Sequence, residues 1–295
     1  MDKLLDLIGR NHGLVIGDGA MGTMLQAAGL TSGGSPEEWN VERPEVLRGI
    51  HQAYVDAGSQ ILTTNTFGGT RLRLGLHNHQ DRVREFNLAG ARLAREVADA
   101  AGHEVLVAGD IGPSGEILFP LGTTQPEEAK AAFAEQAAAL AEGGVDFFLI
   151  ETMSALEEVQ AAIEGIRSVS DLPIAATMTF DTHFRTMMGV KPVQAVKALY
   201  DLGVVVLGAN CGNGPAEIER LVTEMMSVKP EDVHIIAQSN AGLPKMVDEE
   251  IHYDGTPEIM GEYALKMREL GVNIIGACCG STPDHIRAMC KALKV

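Results

Sequence analysis

The most regular feature of the sequence is a short apolar run that ends in small or polar residues and precedes a helical segment. This unit occurs eight times. The apolar runs lie at 14–19, 60–65, 105–110, 146–151, 173–180, 204–211, 233–240 and 272–279. Continuous apolar positions, as opposed to alternating ones, are typical of parallel strands covered on both faces. The pattern therefore predicts eight parallel strands.

Segments with apolar residues at helical spacing separate most of these runs. They predict helices at 81–102, 126–144, 154–169, 191–202, 214–228, 256–271 and 282–293. Several end in a glycine just before the next strand, as expected for a left-handed C-cap. Eight strand–helix units in 295 residues predict an α/β fold, a single (β/α)8 TIM barrel over residues 1–295. An open doubly wound sheet is the alternative, but no GxGxxG motif follows the first strand.

Composition and charge limit the classes of partner. Hydrophobic residues make up 45% of the chain and charged residues 21%, which is typical of a globular protein. The net charge of −17 repels nucleic acid and anionic lipid, so we expect neither as a partner. No apolar run approaches the roughly 20 residues of a membrane span. The first residues are too few and too charged for a secretory signal, so we expect a cytoplasmic protein.

Polar and thiol residues follow the apolar runs. They are Asp18, Asn65, Asp110, Glu151, Thr177, Asn210, Cys211, Asn240, Cys278 and Cys279. Because TIM-barrel active sites lie at the C-terminal ends of the strands, these residues predict a functional site at that face.

Three of the four cysteines end predicted strands. Cys211 ends the sixth strand, and the adjacent Cys278 and Cys279 end the eighth. In a closed barrel these ends lie two strands apart, and three thiolates are a ligand set that Zn²⁺ prefers, with a fourth position left open. Such a centre suits activation of a substrate thiol, with hydrolysis by a metal-activated water as the alternative. Buried cysteines are also ordinary small hydrophobic residues, which is the interpretation we favour for Cys290.

Two strand-end acids are candidates for binding a substrate. Asp18 and Glu151 at the rim of the predicted barrel suit the ammonium group of an amino acid. The alternative is that each caps the following helix. The glycine-rich segment GDGAMGT at 17–23 could donate backbone N–H groups to a carboxylate.

Several motifs together resemble the homocysteine S-methyltransferase family, from about residue 12 to 293. They are GDGAMGT (17–23), TTNTFGGTRL (63–72), GANCG (208–212), SNAGLPK (239–245) and GACCGSTPDHIRAM (276–289). The chain is similar both to bacterial betaine–homocysteine S-methyltransferases and to the homocysteine module of cobalamin-dependent methionine synthase. The resemblance implies a (β/α)8 barrel in which Cys211, Cys278 and Cys279 are catalytic residues that bind zinc. The zinc activates homocysteine for methylation to methionine.

The resemblance also implies roles for residues that bind homocysteine. Asp18 and Glu151 would hold its amino group, with the backbone of Gly19 and Ala20 near its carboxylate. Asn240 would occupy the fourth zinc position before the substrate arrives. Homocysteine and a small methyl donor are the expected substrates.

The identity of the methyl donor is a separate question. Similarity to stand-alone bacterial enzymes, and the absence of a carrier domain in this sequence, favour an onium donor of the betaine type. The animal betaine enzyme has aromatic residues where this chain has Gly68 and Thr152, and Trp39, Phe67 and Tyr253 are the candidates to replace them. The alternatives are a methylcorrinoid on a partner protein, as in a split cobalamin-dependent methionine synthase, and S-methylmethionine. A non-catalytic barrel that binds zinc or thiols is the alternative from another class.

Overall fold

The computed structural model describes residues 2–31, 33–247 and 250–295. Its strands are β1 (Val15–Ile16), β2 (Ile61–Thr63), β3 (Leu106–Ile111), β4 (Phe147–Met153), β5 (Ile174–Met178), β6 (Val206–Cys211), β7 (His234–Ser239), β8 (Pro244–Val247), β9 (Glu250–Tyr253) and β10 (Ile274–Ala277). Each of the eight predicted apolar runs overlaps one of these strands, and β3 and β4 extend one and two residues beyond their runs. Strands β8 and β9 form an additional antiparallel hairpin after β7, which the sequence did not predict.

Eight of the strands form one parallel sheet in the order β1-β10-β7-β6-β5-β4-β3-β2. The two edge strands of this order meet through Gln60, which precedes β2. Its backbone N–H donates to the carbonyl of Ile16 at 2.8 Å, and its side-chain oxygen accepts from the N–H of Ile16 at 3.2 Å. The sheet is therefore a nearly closed barrel, which confirms the predicted α/β TIM-barrel fold.

Helices pack around the barrel. They are α1 (Lys3–Arg10), α2 (Met21–Ala27), α3 (Trp39–Glu42), α4 (Pro44–Ala57), α5 (Arg71–Leu74), α6 (Val83–Ala100), α7 (Pro126–Glu142), α8 (Leu156–Arg167), α9 (Pro192–Asp201), α10 (Pro215–Met226), α11 (Pro257–Leu270) and α12 (Pro283–Leu293). The seven predicted helices correspond to α6–α12. Five of those seven begin with proline, whose fixed φ and missing N–H suit the first helical position.

Two apolar layers stabilise the barrel. Along β3, Val107 and Ile111 pack outwards against the helices, whereas Leu106 and Ala108 pack inside the barrel. Helix α1, which the sequence did not predict, buries Leu4, Leu7 and Ile8 among the interior residues at the start of the strands. Helix α1 therefore closes the N-terminal end of the barrel, and the opposite end remains available for a site. Among the described residues, no helix is both long and apolar enough to cross a membrane.

The closure of the barrel by α1 gives a prediction about stability. Leu7 is 1% exposed within the interior cluster, so Leu7→Ala should leave a cavity and lower the free energy of unfolding by about 2–5 kcal/mol. Denaturant unfolding would measure this, with Leu76→Ala, at a position 64% exposed, as the control. A change at Leu7 no larger than that of the control would contradict the role given to α1.

Candidate metal centre and acidic cavity

Three thiols converge at the C-terminal end of the barrel. Strand β7 pairs with β6 on one side and with β10 on the other, so the end of β6 and the residues after β10 are neighbours. The Sγ atoms of Cys211, Cys278 and Cys279 all lie within 4.8 Å of one another. Among the described residues, no other group of three or more His, Cys, Asp or Glu side chains lies close enough together to hold one metal ion. The structure therefore brings together the cysteines that the sequence singled out.

Asn210 supports this cluster, although the sequence analysis assigned it no role beyond its place at a strand end. Its amide nitrogen donates to Thr152 Oγ1 at 2.7 Å and lies 3.4 Å from Cys211 Sγ and 3.9 Å from Cys278 Sγ. Its amide oxygen accepts from the N–H of Thr152 at 2.9 Å and from the hydroxyl of Thr177 at 2.8 Å. These bonds fix the amide so that one N–H donates to Thr152 Oγ1 and the other faces the two sulfur atoms. Donors in that position stabilise thiolates and orient metal ligands.

The three thiols have different proton affinities. Hydrogen bonds from Cys211 and Cys278 lower the pKa of Cys279 to about 3, and the hydroxyl of Tyr253 also contributes. Hydrogen bonds to Cys211 and Cys279 raise the pKa of Cys278. The hydrogen bonds among the three thiols therefore favour the ionised form of Cys279 over those of the other two. The sulfur chemistry and compact size of the cluster fit Zn²⁺.

Cys290 lies apart from this cluster. It is on α12, is buried in the layer between helices and strands, and belongs to the outer apolar cluster. Its Sγ would lie only 2.7 Å from a Cβ placed at Gly58, the left-handed residue that ends α4. This position is that of a packing residue.

A cavity of about 300 Å³ opens beside the three cysteines. Four acidic side chains line it, those of Asp18, Glu37, Asp110 and Glu151. Within the described part of the chain, no Lys, Arg or His contributes to its lining. The acidic groups of the lining therefore have no basic side chain among the described lining residues to pair with.

Asp18 and Glu151, which the sequence analysis placed at the substrate, both line this cavity. The carboxylate of Asp18 accepts from the N–H of Thr63 at 2.7 Å and from its hydroxyl at 2.8 Å. Burial nevertheless raises the pKa of Asp18 to about 7. Burial, together with the charges of Asp18 and Cys279, raises the pKa of Glu151 to about 8. A bound cation would stabilise the ionised form of both groups.

Gly19 and Ala20 also line the cavity, but the amide of Ala20 already has a partner. Its N–H donates to Ser281 Oγ at 2.9 Å, and its carbonyl accepts from the hydroxyl of Tyr54 at 2.9 Å. A Cβ at Gly19 would lie 2.6 Å from Ser281 Oγ, which explains why glycine is required there. The Ala20 N–H can reach a ligand carboxylate only if Ser281 moves.

Asn240, the predicted fourth zinc ligand, follows β7. Its amide nitrogen donates to the carbonyl of Gly212 at 2.6 Å, which fixes the side chain. Its Oδ1 atom is buried without a hydrogen-bond partner. That oxygen keeps its lone pairs available for a metal or a ligand donor.

The three aromatic candidates for binding an onium donor occupy different environments. Trp39 is 9% exposed, and the guanidinium of Arg43 stacks 4.7 Å from its ring centroid. Tyr253 forms a hydrogen bond with Cys279. Phe67 is the one aromatic residue among the described residues that line the cavity. The structure therefore places one of the three candidate rings, that of Phe67, in the lining of the cavity.

Comparison with known proteins identifies the family. The model of the homocysteine S-methyltransferase family matches residues 15–293, so the chain belongs to that family. This confirms the resemblance seen in the sequence motifs.

Two curated relatives are methionine synthases. The chain is 35% identical over 305 residues to that of Mycobacterium tuberculosis, an alignment that covers 98% of this chain and 25% of the relative. It is also 35% identical over 295 residues to that of Mycobacterium leprae, covering 95% of this chain and 24% of the relative. The chain thus spans about a quarter of the length of these relatives.

Solved structures share the fold. The oxidized form of the homocysteine methyltransferase MmuM from Escherichia coli matches with a TM-score of 0.79 and 23% identity, covering 94% of this chain and 95% of that one. Its metallated form matches with a TM-score of 0.77 and 22% identity, with the same coverage. At this identity the likeness shows the fold.

The proton affinity of Glu151 gives a prediction about stability and pH. The pKa of Glu151 in the folded protein, about 8, lies above the ordinary value of 4.5. The contribution of Glu151 to stability is therefore fully present at acidic pH, where its carboxyl is protonated, and is lost as the pH rises through 8. Glu151→Gln should therefore stabilise the metal-free protein more at pH 9 than at pH 5. Because Glu151 keeps partial contact with solvent through the cavity, we expect a difference of about 1 kcal/mol.

Thermal unfolding at both pH values would test this, with the exposed Glu231→Gln as the matched control. The same stability increment at pH 5 and pH 9 for Glu151→Gln would show that burial does not disfavour its ionised form.

Proposed function

We propose that the chain is a zinc-dependent homocysteine S-methyltransferase that forms methionine, with residues 1–295 as one homocysteine-binding domain. The observation that carries the proposal is the cluster of Cys211, Cys278 and Cys279 at the edge of an acidic cavity. Membership of the homocysteine S-methyltransferase family supports it. The thiols suit zinc, and the carboxylates suit the ammonium group of an amino acid.

The protein's own residues would prepare the metal site. When bound by these three cysteines, zinc would leave one position for a substrate sulfur and lower the pKa of that thiol. Asn210 would hold two of the cysteine sulfurs in place through the amide N–H that is not donated to Thr152. The free Oδ1 of Asn240 supports its assignment to the fourth position in the absence of substrate.

The remaining residues would bind and orient homocysteine. Asp18 and Glu151 face the cavity and would accept hydrogen bonds from the substrate ammonium group. In the reaction, the sulfur lone pair forms the new bond to the methyl carbon. The electron pair of the broken methyl–donor bond leaves with the donor, and the thiol proton passes to solvent. Binding of a substrate ammonium group would explain the acidic lining of the cavity. A non-catalytic barrel that only binds zinc would not need these carboxylates.

For the methyl donor we propose a methylated corrinoid, in preference to the betaine-type onium that the sequence favours. A quaternary ammonium is usually held against several aromatic faces, and only Phe67 among the three candidates lines the cavity. The 35% identity to methionine synthases over nearly the whole chain supports the same choice. A corrinoid donor transfers the methyl group with reduction of cobalt(III) to cobalt(I), so no onium site is required. S-Methylmethionine remains as a third donor to be tested.

The metal site gives a prediction for each cysteine. Replacing Cys211, Cys278 or Cys279 by Ala should remove most of the bound zinc and essentially all methyl transfer, because two thiolates are too few for a stable site. Cys290→Ala, at the packing position, should retain both. Metal analysis of the purified variants would measure this. Full zinc occupancy in Cys278→Ala would refute the ligand set.

The donor proposal is tested by turnover. Zinc-loaded protein is incubated with homocysteine and either free methylcobalamin, glycine betaine, dimethylsulfonioacetate or S-methylmethionine, and methionine is quantified. We expect methionine from methylcobalamin and none from the onium compounds. Turnover with glycine betaine but not with methylcobalamin would refute the corrinoid donor and restore the betaine-type alternative.

A further inference from the structure

Thr152 has a backbone conformation that is unusual for its residue type. Its φ is +62°, in the left-handed region that favours glycine and that β-branched residues rarely adopt. Strand β4 carries a bulge at this point, because between Ile150 and Met153 it takes three steps where its partner β5 takes two. A bulge residue with a left-handed backbone is usually glycine. A threonine that bears this strain therefore requires an explanation.

The bulge turns the side chain of Thr152 towards the cavity. Just before it, Leu149 belongs to the interior apolar cluster and Ile150 to the outer one. Strict alternation along the strand would then place Glu151 inside and Thr152 outside. Instead both residues line the cavity, and Met153 returns to the outer cluster. The strained backbone therefore brings a hydroxyl to the metal site that a regular strand would direct away from it.

The hydroxyl of Thr152 lies between the Asn210 amide and one cysteine. Its oxygen accepts from Asn210 Nδ2 at 2.7 Å and lies 3.9 Å from Cys211 Sγ. Because the oxygen accepts from Asn210, the hydroxyl proton is free to point at the sulfur. A metal-bound thiolate has no proton of its own, so in that pair the hydroxyl must be the donor.

The same contact directs the second amide N–H of Asn210. The amide oxygen is already held by the N–H of Thr152 at 2.9 Å and by the hydroxyl of Thr177 at 2.8 Å. Binding of one N–H by Thr152 Oγ1 leaves the other 3.4 Å from Cys211 Sγ. Cys211 thus faces two donors, and its own φ of +59° is also left-handed. Strain of this kind persists where surrounding contacts hold it and is typical of functional sites.

We propose that Thr152 is a positioning residue for the metal centre. Its hydroxyl orients the Asn210 amide and donates to Cys211, and the two donors hold the sulfur in the orientation in which it binds the metal. The inference rests on the proposed function, because it assumes zinc at the three cysteines. Hydrogen bonds to metal ligands orient those ligands, and their loss typically lowers metal affinity about 10- to 100-fold.

Three substitutions separate the hydroxyl from the backbone strain. Thr152→Ser keeps the hydroxyl, Thr152→Val keeps the branched shape without it, and Thr152→Gly removes both the hydroxyl and the strain. Competition with a chromophoric chelator should show a zinc affinity within about twofold of wild type for Thr152→Ser, and about tenfold or more below it for the other two. In the metal-free state, Thr152→Gly should unfold at a higher temperature than Thr152→Val, because glycine relieves the left-handed strain. Zinc affinity and stability should therefore not follow the same order.

Cobalt-substituted protein gives a second readout. The sulfur-to-cobalt charge-transfer band should move to longer wavelength in Thr152→Val and stay in place in Thr152→Ser, because a sulfur that loses hydrogen-bond donors gives up its electrons more easily. Thr223→Val is the matched control. It removes an exposed hydroxyl on α10 that donates to the carbonyl of Glu219, and it should change neither readout.

The possible outcomes distinguish the inference from the proposed function. A Thr152→Val variant that binds zinc as tightly as wild type would overturn the inference. Zinc affinities that follow the order of thermal stability, with Thr152→Gly above Thr152→Val, would also overturn it, because they would show a purely structural role. Wild-type protein that does not bind zinc would instead refute the proposed function, and the inference with it.

Discussion

The hydrogen bonds that β7 makes with β6 and β10 hold the two cysteine-bearing segments together, and the site depends on them. Backbone bonding continues past the strands, where the N–H of Cys278 donates to the carbonyl of Ser239 at 2.7 Å. The approach of β6 to β7 is so close that a Cβ at Gly208 would lie 1.8 Å from the carbonyl oxygen of Ile236. Glycine at 208 is therefore needed three residues before Cys211. Strand pairing thus places Cys211, at the end of β6, close to Cys278 and Cys279, which directly follow β10.

The C-terminal end of the barrel also contains several carboxyl groups whose burial opposes folding. Asp18, Asp110 and Glu151 line the same cavity beside the three cysteines, and burial raises the pKa of each carboxyl. Burial therefore disfavours the ionised form of each carboxyl, and deprotonation of these groups lowers the stability of the folded protein. A bound metal ion and the ammonium group of a bound substrate would stabilise the ionised carboxylates and so remove this cost. Binding and stability are thus linked through one set of residues.

Much of the fold could be predicted from the sequence because its signals are local. Continuous apolar runs identified the eight barrel strands, and apolar residues at helical spacing identified helices α6–α12. Helix α1 could not be predicted in this way, since Leu4, Leu7 and Ile8 gain their burial only once the barrel has closed. The three cysteines were evident from their strand-end positions. The contacts of Asn210 with two sulfur atoms, and the bond from Ala20 to Ser281, depend on side-chain direction and on contacts distant in sequence.

The central claim is that three cysteines of this chain bind zinc and leave one position for the sulfur of homocysteine. X-ray absorption at the zinc edge tests it most directly, because the number of sulfur neighbours can be counted with and without substrate. The account predicts three sulfur ligands and one lighter atom in the zinc-loaded protein, and four sulfur ligands after homocysteine is added. A sulfur count that does not change on addition of homocysteine, or fewer than three sulfur ligands at the outset, would contradict it.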